Sequence, residues 1–286
     1  MVGVVVVVYT LTYHIPGSPA LSGVRAVAAG LRKPYIEQLG TYLWNVFTRF
    51  DLGKSYLTDF VITTELAKRV PVTLVISLTS ILLTLAIGVP LGVMSALKQN
   101  SVLDLSMTSL SLILSAVPSY ILALVSALLF GVVLQWLPVA RLDTWDSWIL
   151  PVVCSSGIGI AVCTRMTRTA MLEVIRQDYI RMARAKGLKE STIIFRHAMI
   201  NCLIPLATVV GSQIAIIFSS TIIIEWIFSI PGMGYYLVDA LNQRDYPVIN
   251  GVVLVISLLV CAVNLIVDLA YAFIDPRIKT MYVTEK

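Results

Sequence analysis

The stretch DYIRMARAKGLKESTIIFRHAMINCLIP, residues 178–205, decides how this chain is organised, because it is basic and helix-forming yet lies between strongly apolar segments. Gly187 divides it, and a glycine both ends helices and permits a tight turn. The pattern therefore predicts a short helix, a glycine turn, a second helix and re-entry into an apolar segment near Pro205. A polar insert of this kind in an apolar chain indicates a docking element for a soluble partner.

The composition places the chain in a membrane. Hydrophobic residues make up 58% of the 286 residues, charged residues only 13%, and the mean hydropathy is +0.88. A water-soluble domain of this length would carry far more charge on its surface. The four cysteines lie in or beside apolar segments, and neither histidine has a ligand-type partner at a suitable spacing. We therefore expect no disulfide framework, no metal or cofactor site and no catalytic centre.

A membrane-spanning helix needs roughly 20 mostly apolar residues. Five segments meet or nearly meet this requirement: Val70–Leu97, Leu105–Val133, Trp148–Thr164, Leu203–Ile224 and Val248–Tyr271. A sixth segment, Met1–Tyr13, is too short to cross alone. The sequence thus predicts an all-α membrane protein of about six transmembrane helices, the first one short or truncated. Prolines at positions 90, 118, 151 and 205 predict bends or packing kinks in these helices.

Lysine and arginine residues are distributed unequally between the two sides of these spans. Twelve lie on the side of the 178–205 insert, whereas the short loops of the other side hold only Arg141 and Arg244. The positive-inside rule makes the first side cytoplasmic, with both termini there. The loop 14–69 holds seven more basic residues. Loops of this length cross with little regard to charge, so we expect this one to be external.

Residues 178–205 resemble the glycine-centred coupling loop of ABC importer permeases, and the pattern YIR-ARAKGL followed by RHA--N--IP is similar to the dipeptide/oligopeptide/nickel branch. Two further signatures agree in order and sidedness: FSIPGMG at 228–234 with RDYPV at 244–248, and NLIVD at 264–268 with DPRI at 275–278. Two shorter matches are DLGKS at 51–55 and PGSPA at 16–20. The span that such relatives carry upstream of PGSPA is incomplete here, which predicts a truncated start.

The resemblance implies two sets of functional residues. The ATPase-coupling set consists of Arg181, Ala183, Arg184, Ala185, Lys186, Gly187, Arg196 and His197. Its small members are expected to allow close docking of a partner. The external gate, or turn, consists of Pro231, Gly232, Gly234, Arg244, Asp245 and Pro247. Within it, Asp245 is expected to cap the last helix, with Pro247 in the first turn of that helix.

Polar residues within the spans are candidates for the transport pathway: Ser119, Tyr120, Gln213, Ser220 and Glu225. Hydrogen bonding between helices is the alternative role for polar residues in a bundle. For Glu225 the alternative is a hydrogen-bond acceptor that fixes the 228–234 turn. Asp268 is expected near the cytoplasmic interface, paired with basic residues rather than serving as a proton relay.

The resemblance implies a permease subunit of an ATP-driven ABC importer that moves short peptides across the bacterial cytoplasmic (inner) membrane as a multi-pass protein. Nickel or a metal–metallophore complex is an alternative substrate. A more distant alternative is an ion-gradient-driven secondary transporter, although the inverted repeats and midplane acids typical of that class are not evident. The sequence lacks a G-x-x-x-x-G-K-[ST] loop, so we do not expect an enzyme.

The expected partners follow from that assignment: a second, related permease subunit, two ATP-binding subunits that hydrolyse ATP, and an extracytoplasmic solute-binding protein. The expected organisation has a partial first transmembrane helix and external loop over residues 1–69. A type-1 ABC transporter transmembrane domain covers 70–274 and contains the coupling loop 173–203. Residues 275–286 form a cytoplasmic tail.

Overall fold

The structure, a computed structural model, describes residues 2–14, 33–140 and 142–274, without the side chains of 203–205, 207–210, 212, 268 and 270–274. These ranges fold into helices and one isolated antiparallel bridge between Lys54 and Val61. The helices are α1 Val2–His14, α2 Tyr35–Arg49, α3 Ile62–Leu97, α4 Val102–Ala116, α5 Ser119–Ser126, α6 Ile149–Ile175, α7 Asp178–Ala185, α8 Met199–Ile227, α9 Met233–Gln243 and α10 Tyr246–Ile274.

Four short helical segments of the described ranges extend the main helices. A π-helix over Ala127–Val133 continues α5, and a 3₁₀ turn over Trp145–Trp148 leads into α6. A single turn over Glu190–Thr192 and a π-helix over Ile193–Ala198 lead into α8. Helices α3 and α6 extend beyond the predicted apolar runs at one end, α3 before Val70 and α6 after Thr164, because more polar residues continue the same helical geometry there.

Several helical segments of the described ranges have the length and apolar composition of membrane spans. Ile62–Leu97, Trp145–Ile175 and Tyr246–Val267 qualify singly, and Val102–Ala116 with Ser119–Val133 qualify as a bent pair. Helix α8 is 29 residues long, and its segment Gln213–Ile227 is a shorter apolar helix, as is α1. This confirms the expectation of an all-α protein with several apolar spans.

The predicted span Leu105–Val133 is not one straight helix but is bent by 97° between α4 and α5. The break falls at Val117, whose backbone is extended (φ −91°, ψ 120°), directly before Pro118. A proline disfavours the helical conformation of the residue before it and offers no amide hydrogen to the preceding turn. Pro90 and Pro151, in contrast, lie within α3 and near the start of α6 without ending either helix.

Small residues let α3 and α6 approach closely along most of their length. A β-carbon added to Gly92 would lie 2.5 Å from Cβ of Thr167, and one added to Gly88 would lie 2.8 Å from Cβ of Cys163. In the other direction, a β-carbon on Gly159 would lie 2.8 Å from Oγ1 of Thr84. Close backbone approach through such positions is how helices associate where lipid removes the hydrophobic drive between them.

The two ends of this α3–α6 pair carry different elements. At one end, Val93 and Ala96 of α3 belong to a buried cluster with Ile180 of α7. At the other end, Ile62 of α3 belongs to a buried cluster with Met233 of α9. We call these the α7 end and the α9 end of the bundle, and each holds one of the two sets of residues singled out in the sequence.

Candidate functional site: the coupling element and the Glu225 corner

At the α7 end, the coupling element comprises residues 178–198. Helix α7 ends in a Schellman motif, in which the amide of Gly187 donates to the carbonyl of Arg184 (2.9 Å) and the amide of Leu188 donates to that of Ala183 (3.3 Å). Gly187 has φ +77°, in the left-handed region that favours glycine. The helix–turn–helix pattern predicted around this glycine agrees with the backbone.

One face of α7 packs against the chain's own core. Ile180 is fully buried and Ala183 nearly so, in contact with a cluster that includes Met171 of α6 and Ala198 at the end of the coupling element. The prediction that Ala183 leaves room for a docking partner is therefore wrong, because this side chain faces the core. Positions 180 and 183 share a helix face, and that face is turned inward.

The opposite face of the coupling element is exposed and carries most of the predicted coupling residues. The exposed members are Arg181, Arg184, Ala185, Lys186, Gly187 and Arg196, while His197 is half-buried. Arg184 donates from Nη2 to Glu190 at 2.6 Å and from Nε at 3.2 Å, so the two halves of the element are tied across the turn. The same hydrogen bonds lower the pKa of the Glu190 carboxyl below its ordinary value.

Large apolar side chains lie between these charges, and sequence reasoning missed them. They are Tyr179, Met182, Leu188 and Phe195, with Phe195 the most exposed at 70%. Within a chain that is mostly apolar, these residues carried no signal of their own. Their exposed position among arginines gives the coupling element an amphipathic outer surface suited to a protein partner.

At the α9 end, Glu225 anchors a tight corner between α8 and α9, which we call the Glu225 corner. The side chain is fully buried, and Oε2 accepts hydrogen bonds from the amides of Gly234 (2.6 Å) and Tyr235 (3.4 Å). The amide of Met233 donates to Oγ1 of Thr73 on α3 at 2.9 Å. The first amides of α9, which have no partner within their own helix, are satisfied in this way.

The glycines of the 228–234 signature make this corner possible. A β-carbon on Gly232 would overlap the Glu225 carboxylate, and one on Gly234 would overlap the backbone of Ile222 on α8. The turn itself contains Ser229 in the left-handed conformation (φ 52°), and Pro231 is exposed beside it. The predicted chain reversal is present, and its glycines serve close approach to α8 and Glu225.

The second half of the signature connects to the DLGKS loop. Asp245 is buried, and its carboxylate accepts hydrogen bonds from Oγ of Ser55 (2.5 Å) and the amide of Tyr56 (3.0 Å). The side chain predicted to cap α10 is thus engaged by a loop distant in sequence, although Pro247 does lie in the first turn of α10. Arg244, with φ 59°, ends α9 and is exposed.

The remaining pathway candidates are not brought together into one site. Ser119 is half-buried and Tyr120 exposed at the start of α5. Gln213 is buried beside a small cavity that Thr84 and Cys163 also line, whereas Ser220 is half-buried and donates to the carbonyl of Ile217. Their role in a pathway stays a prediction.

Some sequence expectations lie outside the described residues. These are the PGSPA segment at 16–20, the side chains of Pro205 and Asp268, and the DPRI segment with the tail at 275–286. Among the residues that the structure does describe, no group of three or more histidine, cysteine, aspartate or glutamate side chains could hold a metal ion.

The bundle has the fold of a type I ABC importer transmembrane domain. It superposes on a chain of the MetNI methionine ABC transporter with a TM-score of 0.66 at 18% identity, covering 74% of this chain and 97% of that one. Residues 88–280 match the family described as binding-protein-dependent transport system inner membrane component. The chain belongs to this family and is a permease subunit of an ABC importer.

Full-length relatives agree with this assignment. The dipeptide transport system permease protein DppB of Bacillus subtilis (strain 168) is 38% identical over 297 residues, covering 98% of this chain and 95% of that protein. The di/tripeptide transport system permease protein DppB of Pseudomonas aeruginosa (strain UCBPP-PA14) is 35% identical over 317 residues, covering 97% and 94%. The chain is thus a multi-pass membrane protein of the peptide branch of the family.

Proposed function

We propose that this permease moves short peptides across the cytoplasmic membrane, driven by ATP hydrolysis in separate subunits that dock on the coupling element. The observation that carries the substrate class is the similarity to dipeptide and di/tripeptide permeases along nearly the whole chain. A second, related permease and an extracytoplasmic binding protein would complete the complex. The binding protein would select the peptide and present it to the α9 end.

The geometry of the coupling element supports the docking proposal. Its inner face packs against the chain's core through the buried side chains of Ile180 and Ala183. Its outer face presents arginines interleaved with Met182 and Phe195, both more than half exposed. A partner that moves this element would therefore move α6 and α8, the helices packed beneath it, as a unit.

The substrate proposal is tested by reconstitution. We expect proteoliposomes containing the complete complex to take up a labelled dipeptide when ATP and the binding protein are supplied, and ionophores to leave the uptake unchanged. The purified chain alone should hydrolyse no ATP, since it has no phosphate-binding loop. Uptake of nickel or of a metal–metallophore complex in place of peptide would overturn the substrate class. Uptake that ionophores abolish would overturn the energy source.

The proposed orientation puts the α7 end in the cytoplasm and the α9 end outside, following the asymmetry of lysine and arginine. The test uses a Cys261→Ser background, because Cys261 is the exposed native cysteine. In this background we expect the thiol of Gly40→Cys to react with a membrane-impermeant reagent in intact cells. A Lys189→Cys thiol should react only after the cells are opened. Both positions are exposed, so accessibility within the chain does not distinguish them. The reverse labelling pattern would invert the topology.

A further inference from the structure

An ion pair between a buried carboxylate, Asp104, and a partly exposed arginine, Arg168, joins α4 to α6 near the α7 end, and neither residue belongs to the sets discussed above. Asp104, in the first turn of α4, is only 3% exposed. Arg168 of α6 donates to it through two hydrogen bonds, from Nε to Oδ1 at 2.6 Å and from Nη2 to Oδ2 at 2.7 Å. This paired geometry is the strongest and most directional form of a carboxylate–arginine contact.

Two further donors complete the surroundings of the carboxylate. Oγ of Ser95, near the end of α3, donates to Oδ1, and the amide of Asn100 donates to Oδ2 at 2.9 Å. Asn100, in the turn between α3 and α4, has the left-handed conformation (φ 61°). In this conformation its backbone amide donates to Asp104. The carboxylate therefore joins α3, the α3–α4 turn, α4 and α6 at one point.

The rest of α4 packs along α6 and α3 but buries few of its own side chains. Its buried residues are Asp104 and Ser111, while Leu105, Leu112 and Ile113 are each more than half exposed. At its far end the 97° bend separates it from α5. The ion pair is thus the main polar attachment between a 15-residue half-span and the remainder of the bundle.

The parts of α3 and α6 that contact Asp104 also pack against the coupling element. Ala170 and Met171 follow Arg168 on α6 and belong to the cluster that buries Ile180 of α7. Ala96, next to Ser95 on α3, belongs to that cluster too. The helices that hold the Asp104 carboxylate are therefore the same helices on which α7 is seated.

We propose that Asp104 and Arg168 are positioning residues that make α4 move with the coupling element during transport. The inference rests on the proposed docking of the ATPase subunits there. With the pair intact, displacement of α7 carries α6 and, through Arg168, the end of α4. Without it, α6 and α4 keep their packing contact but lose the directional link, so α4 follows α6 less closely and more ATP is hydrolysed for each peptide moved.

The test uses the reconstituted complex and measures the ATP hydrolysed per peptide transported. For Asp104→Asn and for Arg168→Gln we expect this ratio to rise by about tenfold, within the range that coupling between sites usually spans. Arg168→Lys, which keeps the charge but cannot form the two-pronged contact, should raise it less. Arg165→Gln is the matched control, because Arg165 lies one turn away on α6, and it should behave like the parent.

The double variant Asp104→Asn/Arg168→Gln separates positioning from a purely structural role. A structural pair predicts recovery, because removing both members leaves no unpaired buried charge. A positioning pair predicts that the double variant assembles but keeps the raised ratio. A parental ratio in the double variant, or in the assembled single variants, would overturn the proposal. If Asp104→Asn, Arg168→Gln and the double variant all fail to assemble, Arg168→Lys decides, and a parental ratio in it counts against the proposal.

Gly187→Trp, run beside these variants, addresses docking on the coupling element without touching the ion pair. If Gly187→Trp transports normally, the proposed docking is wrong. If Gly187→Trp is inactive while Asp104→Asn and the double variant have the parental ratio, only the inference about α4 is wrong.

Discussion

Replacing Gly187 with tryptophan should abolish ATP-driven transport while leaving the chain folded in the membrane. Among the described residues, nothing lies within 4 Å of a β-carbon built on Gly187, so the indole meets no neighbour of this part of the chain at its point of attachment. It projects from the exposed outer face of the coupling element, where it would hold a docking partner away. The measurements are co-purification of the ATPase subunits and peptide uptake, and both should fall to background.

The matched control for this prediction is Gly187→Ala. Both substitutions place a side chain at φ +77° and therefore carry the same backbone strain, about 1 to 2 kcal/mol. Only tryptophan adds bulk on the docking face. If the alanine variant loses transport as completely as the tryptophan variant, the strained turn and not the docking surface is responsible. Normal uptake by both would mean that residues 178–198 are only a charged loop.

Glu225→Ala should give the second large effect, a destabilised chain that fails to assemble. The substitution leaves the buried amide of Gly234 and the partly buried amide of Tyr235 without their acceptor and opens a cavity beneath Gly232. Unsatisfied buried donors and a cavity together predict a loss of about 2 to 4 kcal/mol in the free energy of unfolding. Denaturant unfolding of the purified chain in detergent measures it.

Glu225→Gln serves as the comparison, since its amide oxygen can still accept from Gly234 while the charge is removed. We expect its stability to lie within about 1 kcal/mol of the parent, the size of a lost charge–dipole interaction at a helix start. Its preference among positively and negatively charged peptides should equal that of the parent. A changed preference in this variant would instead place Glu225 in the pathway, as the sequence alone allowed.

Local features of the fold were predictable because their causes are local. Gly187 ends α7 by its own conformational freedom, and Pro118 bends a span through the residue before it. The apolar runs mark the spans because the bilayer demands their length. Ala183 was predicted to leave room for a docking partner and instead packs inward, since an alanine between arginines suits an exposed face and a packed face equally well.

Long-range contacts escaped the sequence analysis. Arg168 looked like one more cytoplasmic charge, because its partner Asp104 lies 64 residues away in the chain and on another helix. Gly234 was recognised as part of a turn, yet its close approach to Ile222 depends on how α9 folds back on α8. No periodicity or spacing encodes such pairs, and only the packed helices show them.

The hydrogen bond from Ser55 to Asp245 joins positions 190 residues apart. During synthesis, the DLGKS loop emerges long before Asp245, its hydrogen-bond acceptor. The hydrogen bond therefore forms only after the intervening spans have been synthesised. The α9 end is therefore completed late, when α10 has been synthesised and Asp245 can accept hydrogen bonds from the earlier DLGKS loop. Assembly of this surface therefore requires that synthesis has passed Asp245.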